Sequence, residues 1–397
     1  MRPWLVVTLL CLAEVLSMSA FSTYPALLPV IREAWTLNNS AAGFISGTFF
    51  GGYMVAVPVL AGLTDRVDAR RVYVFAAALS AAGAAGFALF ASGFASALIW
   101  QTVAGMGLAG TYMPGLKILA DHIEGRTQSR AIAFYTSTFG LGSSLSLWLS
   151  GVTAAWWGWR WAFGLATIGP ALAGAIVILT LPPARAPGAG VAEAVDFTGL
   201  IRALRNPRAR RFIVAYAAHC WELFGIRSWI VAFFTFSATL RATRDAVAPA
   251  AAAAAINLLG PLASIMGNEV AVRAGRTRLV TAAMLASSAL ACLVGFTGRL
   301  PWLLVLAVAA LYFLAVMADS AALTAGVVAA AHASERGATM AVYSLSGFGA
   351  AFVSPLVFGA VLDLAGGEMR DLAWGLAFAS LAGPALAVVP MLRRAGS

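Results

Sequence analysis

The sequence predicts an all-α membrane protein: twelve transmembrane helices in two pseudo-symmetric six-helix bundles. Three observations lead there. First, 61% of the 397 residues are hydrophobic and 11% are charged, against about 25% charged in a soluble domain; mean hydropathy is +0.86. A folded chain so poor in charge turns its outer surface to lipid. Soluble enzymes, disordered chains and coiled coils are excluded. Second, apolar runs recur at about the 20 residues that cross a bilayer. Third, the two halves of the chain resemble each other.

The elements follow in order. Charge clusters and turn residues delimit spans at 4–30, 41–63, 72–92, 96–120, 131–152 and 159–181. The run from Trp4 to Val30 exceeds the apolar core of a signal peptide and reads as an uncleaved first span. Then comes 182–210, the long polar stretch: Pro182, Pro183, Pro187, Gly188 and Gly190, followed by Arg202, Arg205, Arg208 and Arg210. It reads as a cytoplasmic linker, with a short surface helix near 197–204. Six more spans follow at 211–236, 246–267, 279–297, 301–330, 338–362 and 373–392. The domains are therefore 1–181, 182–210 and 211–397.

Charge gives the orientation. The net charge is +10, and of the 26 basic residues all but Lys117 are Arg. Eighteen lie on one side, from Arg2, Arg66, Arg70 and Arg71 through the linker to Arg393 and Arg394. Six lie on the other: Arg32, Arg160, Arg241, Arg244, Arg299 and Arg370. This bias puts both termini in the cytoplasm. It also accounts for the positive charge without a nucleic-acid partner. Cys11, Cys220 and Cys292 fall inside apolar segments and read as buried thiols, unpaired and without metal-ligand spacing.

The repeat has four landmarks in one order. Arg66-x-Asp68-x-Arg70-Arg71 returns as Arg273-x-Gly275-Arg276-x-Arg278. Asp121-His122-x-Glu124-x-Arg126 returns as His332-x-x-Glu335-Arg336. Ala133-Phe134-Tyr135 returns as Ala341-Val342-Tyr343, and Gly169-Pro170-Ala171-Leu172 as Gly383-Pro384-Ala385-Leu386. Parallel halves with a site between them are the architecture of rocking transporters.

With these landmarks the chain resembles the major facilitator superfamily over nearly its whole length. The most specific sign is Gly62-Leu63-Thr64-Asp65-Arg66-Val67-Asp68-Ala69-Arg70-Arg71. It is similar to the family's loop between spans 2 and 3, with Ala61 and Asp68 standing where two glycines are usual. Asp65, Arg66, Arg70 and Arg71 are the gating candidates. A carboxylate near a helix N-terminus gains about 0.3–1 kcal/mol, enough for a latch that opens as the halves rock. Gly158-Trp159-Arg160-Trp161 resembles the family's entry into span 6. Gly43, Gly47 and Gly51 give span 2 a close-packing face, and the resemblance sets it against span 11, where Gly347 and Gly349 would supply part of the matching surface.

Ionisable residues inside spans are costly in lipid and so mark function. Glu14 and Glu222 lie at similar depth in spans 1 and 7, separated by the repeat offset, and are candidate proton acceptors. His219, one turn before Glu222, could tune it by hydrogen bonding. Arg227 could hold an anionic group bidentately. Asp319 in span 10 is a further proton-path candidate. Lys117 either pairs with Asp121 at i+4 or meets substrate. Tyr24, Tyr112 and Trp229 are candidate cavity linings, although aromatics at helical spacing are commonly core. No phosphate-binding loop, metal cluster or catalytic triad is present in the sequence, so neither cofactor nor enzymatic activity is expected.

The reading is a monomeric secondary active transporter of the cytoplasmic membrane. It would be driven by protons and would take up a small organic anion or polar metabolite. The alternatives are a proton-driven efflux antiporter, a lipid flippase and a membrane sensor without flux. Span 4 carries Gln101-x-x-Ala104-Gly105-Met106-Gly107 without the arginine of many proton-coupled members, and span 5 lacks the drug-antiporter proline-glycine motif. Both weaken drug efflux.

Overall fold

Runs of Ala, Leu, Val and Gly, uninterrupted by charge, leave the backbone no partner but itself in lipid, and the chain responds with helices. The computed structural model describes residues 3–64, 66–123, 126–183, 197–241, 248–332 and 335–393. Asp65 and the linker stretch 184–196 lie outside them. The helices are α1 (Pro3–Ser17), α2 (Thr23–Ala34), α3 (Asn39–Leu63), α4 (Ala69–Phe90), α5 (Phe94–Ala109), α6 (Tyr112–His122), α7 (Arg126–Trp157) and α8 (Trp159–Thr180). After them come α9 (Phe197–Arg205), α10 (Pro207–Thr239), α11 (Ala248–Asn257), α12 (Leu259–Ala274) and α13 (Arg276–Val294). The last four are α14 (Trp302–Met317), α15 (Ser320–Ala330), α16 (Arg336–Leu364) and α17 (Asp371–Arg393). Among the described residues nine helical stretches are long and apolar enough to cross a membrane.

Every expected span coincides with a helix, but four spans are interrupted. Span 1 breaks between α1 and α2, span 4 between α5 and α6, span 8 between α11 and α12, and span 10 between α14 and α15. Proline explains three of these. Pro25, Pro114 and Pro261 each stand at the third residue of the helix after the break, where a missing N–H is tolerated. The fourth break, at Ala318–Asp319, has no proline. There Asp319 stands at the start of α15 without capping it.

Two compact units form. Unit 1 is Met1–Trp35 with Thr48–Glu193, and unit 2 is Thr36–Gly47 with Ala194–Ser397. The start of α3 thus belongs to unit 2, where it lies on α16. A Cβ on Gly43 or Gly47 would collide with the carbonyls of Pro355 and Phe352, so the span 2 glycines do permit a close approach to span 11. Gly347 serves another contact: a side chain there would strike Tyr216 and Cys220 of α10. It is not part of the surface facing α3.

In unit 1, Arg160 opens α8 and donates to the carbonyls of Ala88 at 2.7 Å and Ala91 at 3.1 Å, closing the C-terminal end of α4. Beside it Trp156, Trp157 and Trp161 are exposed, as in an interfacial aromatic belt. Unit 2 is centred on Trp229, Phe233, Phe358, Trp374 and Phe378. The cysteines are free, but Cys292 is exposed on α13. The reading of all three as buried fails there, because apolar helix surface in this chain faces outward as well as inward.

Candidate functional site

Each unit carries a fully buried carboxylate within a helix. In unit 1, Glu14 of α1 is 0% exposed. Tyr135 of α7 donates its hydroxyl to Glu14 Oε2 at 3.0 Å, and the same hydroxyl lies 3.1 Å from the Tyr112 carbonyl. The Tyr112 ring stacks on Tyr135 with centroids 5.8 Å apart. Glycine makes room: a Cβ on Gly115 would occupy the position of the Tyr135 hydroxyl. One turn beyond Glu14, Ser17 donates to Thr111 Oγ1 at 3.0 Å, at the break between α5 and α6.

In unit 2, Glu222 of α10 is 2% exposed. Ser287 of α13 donates to its Oε2 at 2.8 Å, and the buried Tyr312 hydroxyl of α14 lies beside it. His219 does not reach Glu222. Its Nδ1 lies 2.7 Å from Asp319 Oδ1, with both side chains buried. The break before α15 puts Asp319 against α10, and its carboxylate turns to the imidazole instead of capping its own helix. The imidazole lies parallel to Tyr216, centroids 6.0 Å apart, and Tyr216 stacks on Tyr343 at 3.7 Å. The Tyr343 hydroxyl is 2.8 Å from Thr324 Oγ1. A continuous polar and aromatic row therefore joins α10, α15 and α16.

The repeat maps three of these positions onto one another: Glu14 on Glu222, Thr111 on Asp319, and Tyr135 on Tyr343. Position is kept while partners differ. Tyr135 holds Glu14, whereas Tyr343 holds Thr324 and leaves Glu222 to Ser287. Sequence reasoning missed Ser287 and Tyr312, which are two of many small or aromatic residues in apolar runs. It quoted Tyr135 and Tyr343 as landmarks of the repeat without assigning them a task.

The remaining candidates are scattered. Arg227 is partly buried, with its guanidinium carbon 5.8 Å from the ring centroids of Phe224 and Phe313, in cation–π range. Lys117 donates from Nζ to the Thr64 carbonyl at 2.9 Å, tying α6 to the end of α3. Tyr24 and Trp229 are almost fully buried in aromatic packing, against Phe87 and Phe358 respectively. Trp229 Nε1 also donates to the Pro355 carbonyl at 3.0 Å.

Before α4, Asp65 is outside the described residues; Arg66 in that loop and Arg71 in the first turn of α4 are exposed. Arg70 pairs with Asp68 at 2.6 Å and donates to the Leu181 carbonyl at 2.7 Å, so it clamps the loop to the end of α8 within unit 1. Asp68 also accepts from the Arg70 N–H as the N-cap of α4. The adjacent Arg70 and these hydrogen bonds hold its carboxyl below the usual range despite partial burial.

Asp363, ranked low from the sequence as an outer-end residue of span 11, makes a dense carboxylate contact. It accepts from the N–H groups of Asn39 at 3.0 Å and Ser40 at 2.8 Å, and from their side chains at 2.8 Å and 2.6 Å. It thus closes the N-terminus of α3, where a carboxylate is favoured. Among the described residues no group of three or more His, Cys, Asp and Glu side chains could hold a metal.

The Major Facilitator Superfamily profile matches residues 10–273. The chain is 30% identical over 146 residues to the "Probable 4-methylmuconolactone transporter" of Cupriavidus pinatubonensis, a match covering 34% of this chain and 33% of that protein. It spans about a third of the length of the curated relatives it matches. Its fold is that of a bacterial homologue of the human lysosomal transporter Spinster: the TM-score is 0.75 at 15% identity, over 99% of this chain and 95% of that one. The nucleoside transporter NupG superposes with a TM-score of 0.78 at 13% identity, over 98% and 99% of the two chains.

Proposed function

The chain belongs to the major facilitator superfamily, and we propose that it is a secondary active transporter moving a small solute across the cytoplasmic membrane by alternating access, coupled to protons. Its termini are cytoplasmic and its spans number twelve. The arginine bias and the correspondence of helices to expected spans support this. The observation that carries the coupling is the pair of fully buried carboxylates, Glu14 and Glu222, at equivalent positions of the repeat, each accepting from a neighbouring hydroxyl. A carboxyl kept from water inside a span is a natural proton acceptor, and a hydroxyl beside it can serve its charged form as a donor and its neutral form as an acceptor. Asp319 with His219 adds a second ionisable pair near Glu222.

The cargo is a small organic anion or similar polar metabolite, taken up with protons. Arg227, a cation lying against two phenyl rings, supports it, because a guanidinium is suited to carboxylate recognition. The relative named for 4-methylmuconolactone agrees with a small organic solute. Asp65, Arg66, Arg70 and Arg71 form the cytoplasmic gate, with Lys117 bracing α6 against the end of α3.

The test begins with thermal-shift screening of purified protein against metabolites and drugs at two pH values. Uptake of the ligand found is then followed in proteoliposomes with and without an inward proton gradient. The gradient should accelerate uptake, and Arg227→Ala should weaken it. Full pH-dependent uptake by both Glu14→Gln and Glu222→Gln would overturn proton coupling through these residues. Outward flux of a cationic drug would replace this reading with efflux.

A further inference from the structure

The transport reading leaves α9 without a task. This helix packs on α10 and α16 within unit 2 through Ala203, which is fully buried. It is fastened at two points. Arg202 Nε lies 3.1 Å from Glu335 Oε1. Asn206 Nδ2 donates to the Ala330 carbonyl at 2.9 Å, while its Oδ1 caps the start of α10. Helical geometry puts Ile201 and Leu204 on one face, with Arg205 and Arg202 along its flank and Ala203 opposite. Ile201 is 54% exposed and Leu204 44%, so the apolar face points away from the protein. Next to it Arg205, Arg208 and Arg210 are exposed as well. Among the described residues the acid at this end, Glu335, is engaged by Arg202, and the three further guanidiniums concentrate positive charge there.

An exposed apolar strip bordered by guanidiniums matches the boundary layer of a bilayer. Apolar side chains enter the upper acyl region while arginines meet headgroup phosphates. We propose that α9 and the first turn of α10 form a docking surface for anionic phospholipid headgroups, with Ile201 and Leu204 inserted beside them. This would hold the start of unit 2 at the cytoplasmic leaflet. It does not depend on the cargo or on proton coupling.

The experiment uses the full chain in nanodiscs of phosphatidylcholine, alone or with about a third phosphatidylglycerol. Hydrogen exchange is read at the backbone amides of 197–206. Exchange should slow several-fold in the anionic discs, and the difference should shrink with added salt. Arg205→Gln/Arg208→Gln/Arg210→Gln should abolish the lipid difference, and Ile201→Ser/Leu204→Ser should reduce it. All five side chains are exposed, and unchanged exchange across α13 in the same samples verifies that the variants are folded. Equal exchange in the two lipids overturns the proposal, as does a difference that survives the triple variant. Equal protection by inorganic phosphate in neutral discs also overturns it, since the surface would then serve a free anion.

Discussion

Glu14 and Glu222 are equivalent by repeat yet answer to different hydroxyls, and this difference can be measured. Tyr135→Phe removes the donor to Glu14 without changing volume. Leaving a buried acceptor without its donor costs about 1–3 kcal/mol, so the variant should melt earlier in detergent. Its proton-driven uptake should fall more than its exchange of solute at equal pH; equal losses in both assays would make Tyr135 purely structural. The His219–Asp319 pair predicts coupling of another kind. Removing one member leaves the other buried and unpaired, typically at a cost of about 3–5 kcal/mol, whereas removing both is far milder. His219→Leu and Asp319→Leu should each destabilise strongly and the double variant should recover much of the loss; simple additivity of the melting shifts would show that the pair is not coupled. The sequence revealed both acids and the histidine, because ionisable residues stand out in apolar runs. It did not reveal the pairing. His219 looked closest to Glu222 along the helix, and only the break at Asp319 brings a carboxylate from a distant span to it.

At the scale of helices, apolar length and charge clusters were enough to place the long helices, whereas the breaks were not read, although Pro25, Pro114 and Pro261 were visible. Proline signals an interruption only when its position within a helix is known, and Asp319 breaks its span without one. Ends are set by capping. Asp68 both caps α4 and pairs with Arg70, and Asp68→Ala should cost about 1 kcal/mol at neutral pH, as for other N-caps. The sign follows from its lowered titration. A carboxyl depressed in the folded state contributes stability above its ordinary value and loses that contribution as pH falls through the folded value. The melting difference between wild type and Asp68→Ala should therefore be constant near neutrality and shrink in acid below the ordinary carboxylate range; a difference that grew in acid would refute the assignment. Close packing gives a harsher result. Gly47→Leu sets a side chain against the Phe352 carbonyl, and overpacking of this kind costs about 1–3 kcal/mol, measurable as a lower melting temperature.

At the scale of the molecule, the repeat supplies one equivalent buried glutamate per unit, and under the proposed proton coupling the number of protons moved per solute becomes the sharpest question. The equilibrium gradient answers it without knowledge of rates. With the membrane potential clamped to zero and a pH difference of one unit, one coupled proton supports roughly a tenfold solute gradient and two support roughly a hundredfold, since each tenfold step is about 1.4 kcal/mol. If Glu14 and Glu222 each carry a proton, the wild type should reach the higher plateau, and Glu14→Gln and Glu222→Gln should each reach the lower one. The double variant should exchange solute across the membrane without accumulating it. Plateaus matter here because a slowed carrier still arrives at its thermodynamic limit, so damage to folding or turnover changes the approach and leaves the endpoint where it was. A single-variant plateau equal to that of the wild type would remove that residue from the coupling. If only Glu222→Gln lowered the plateau, coupling would rest with unit 2, where His219 and Asp319 lie close by, and Glu14 would be left as a structural partner of Tyr135.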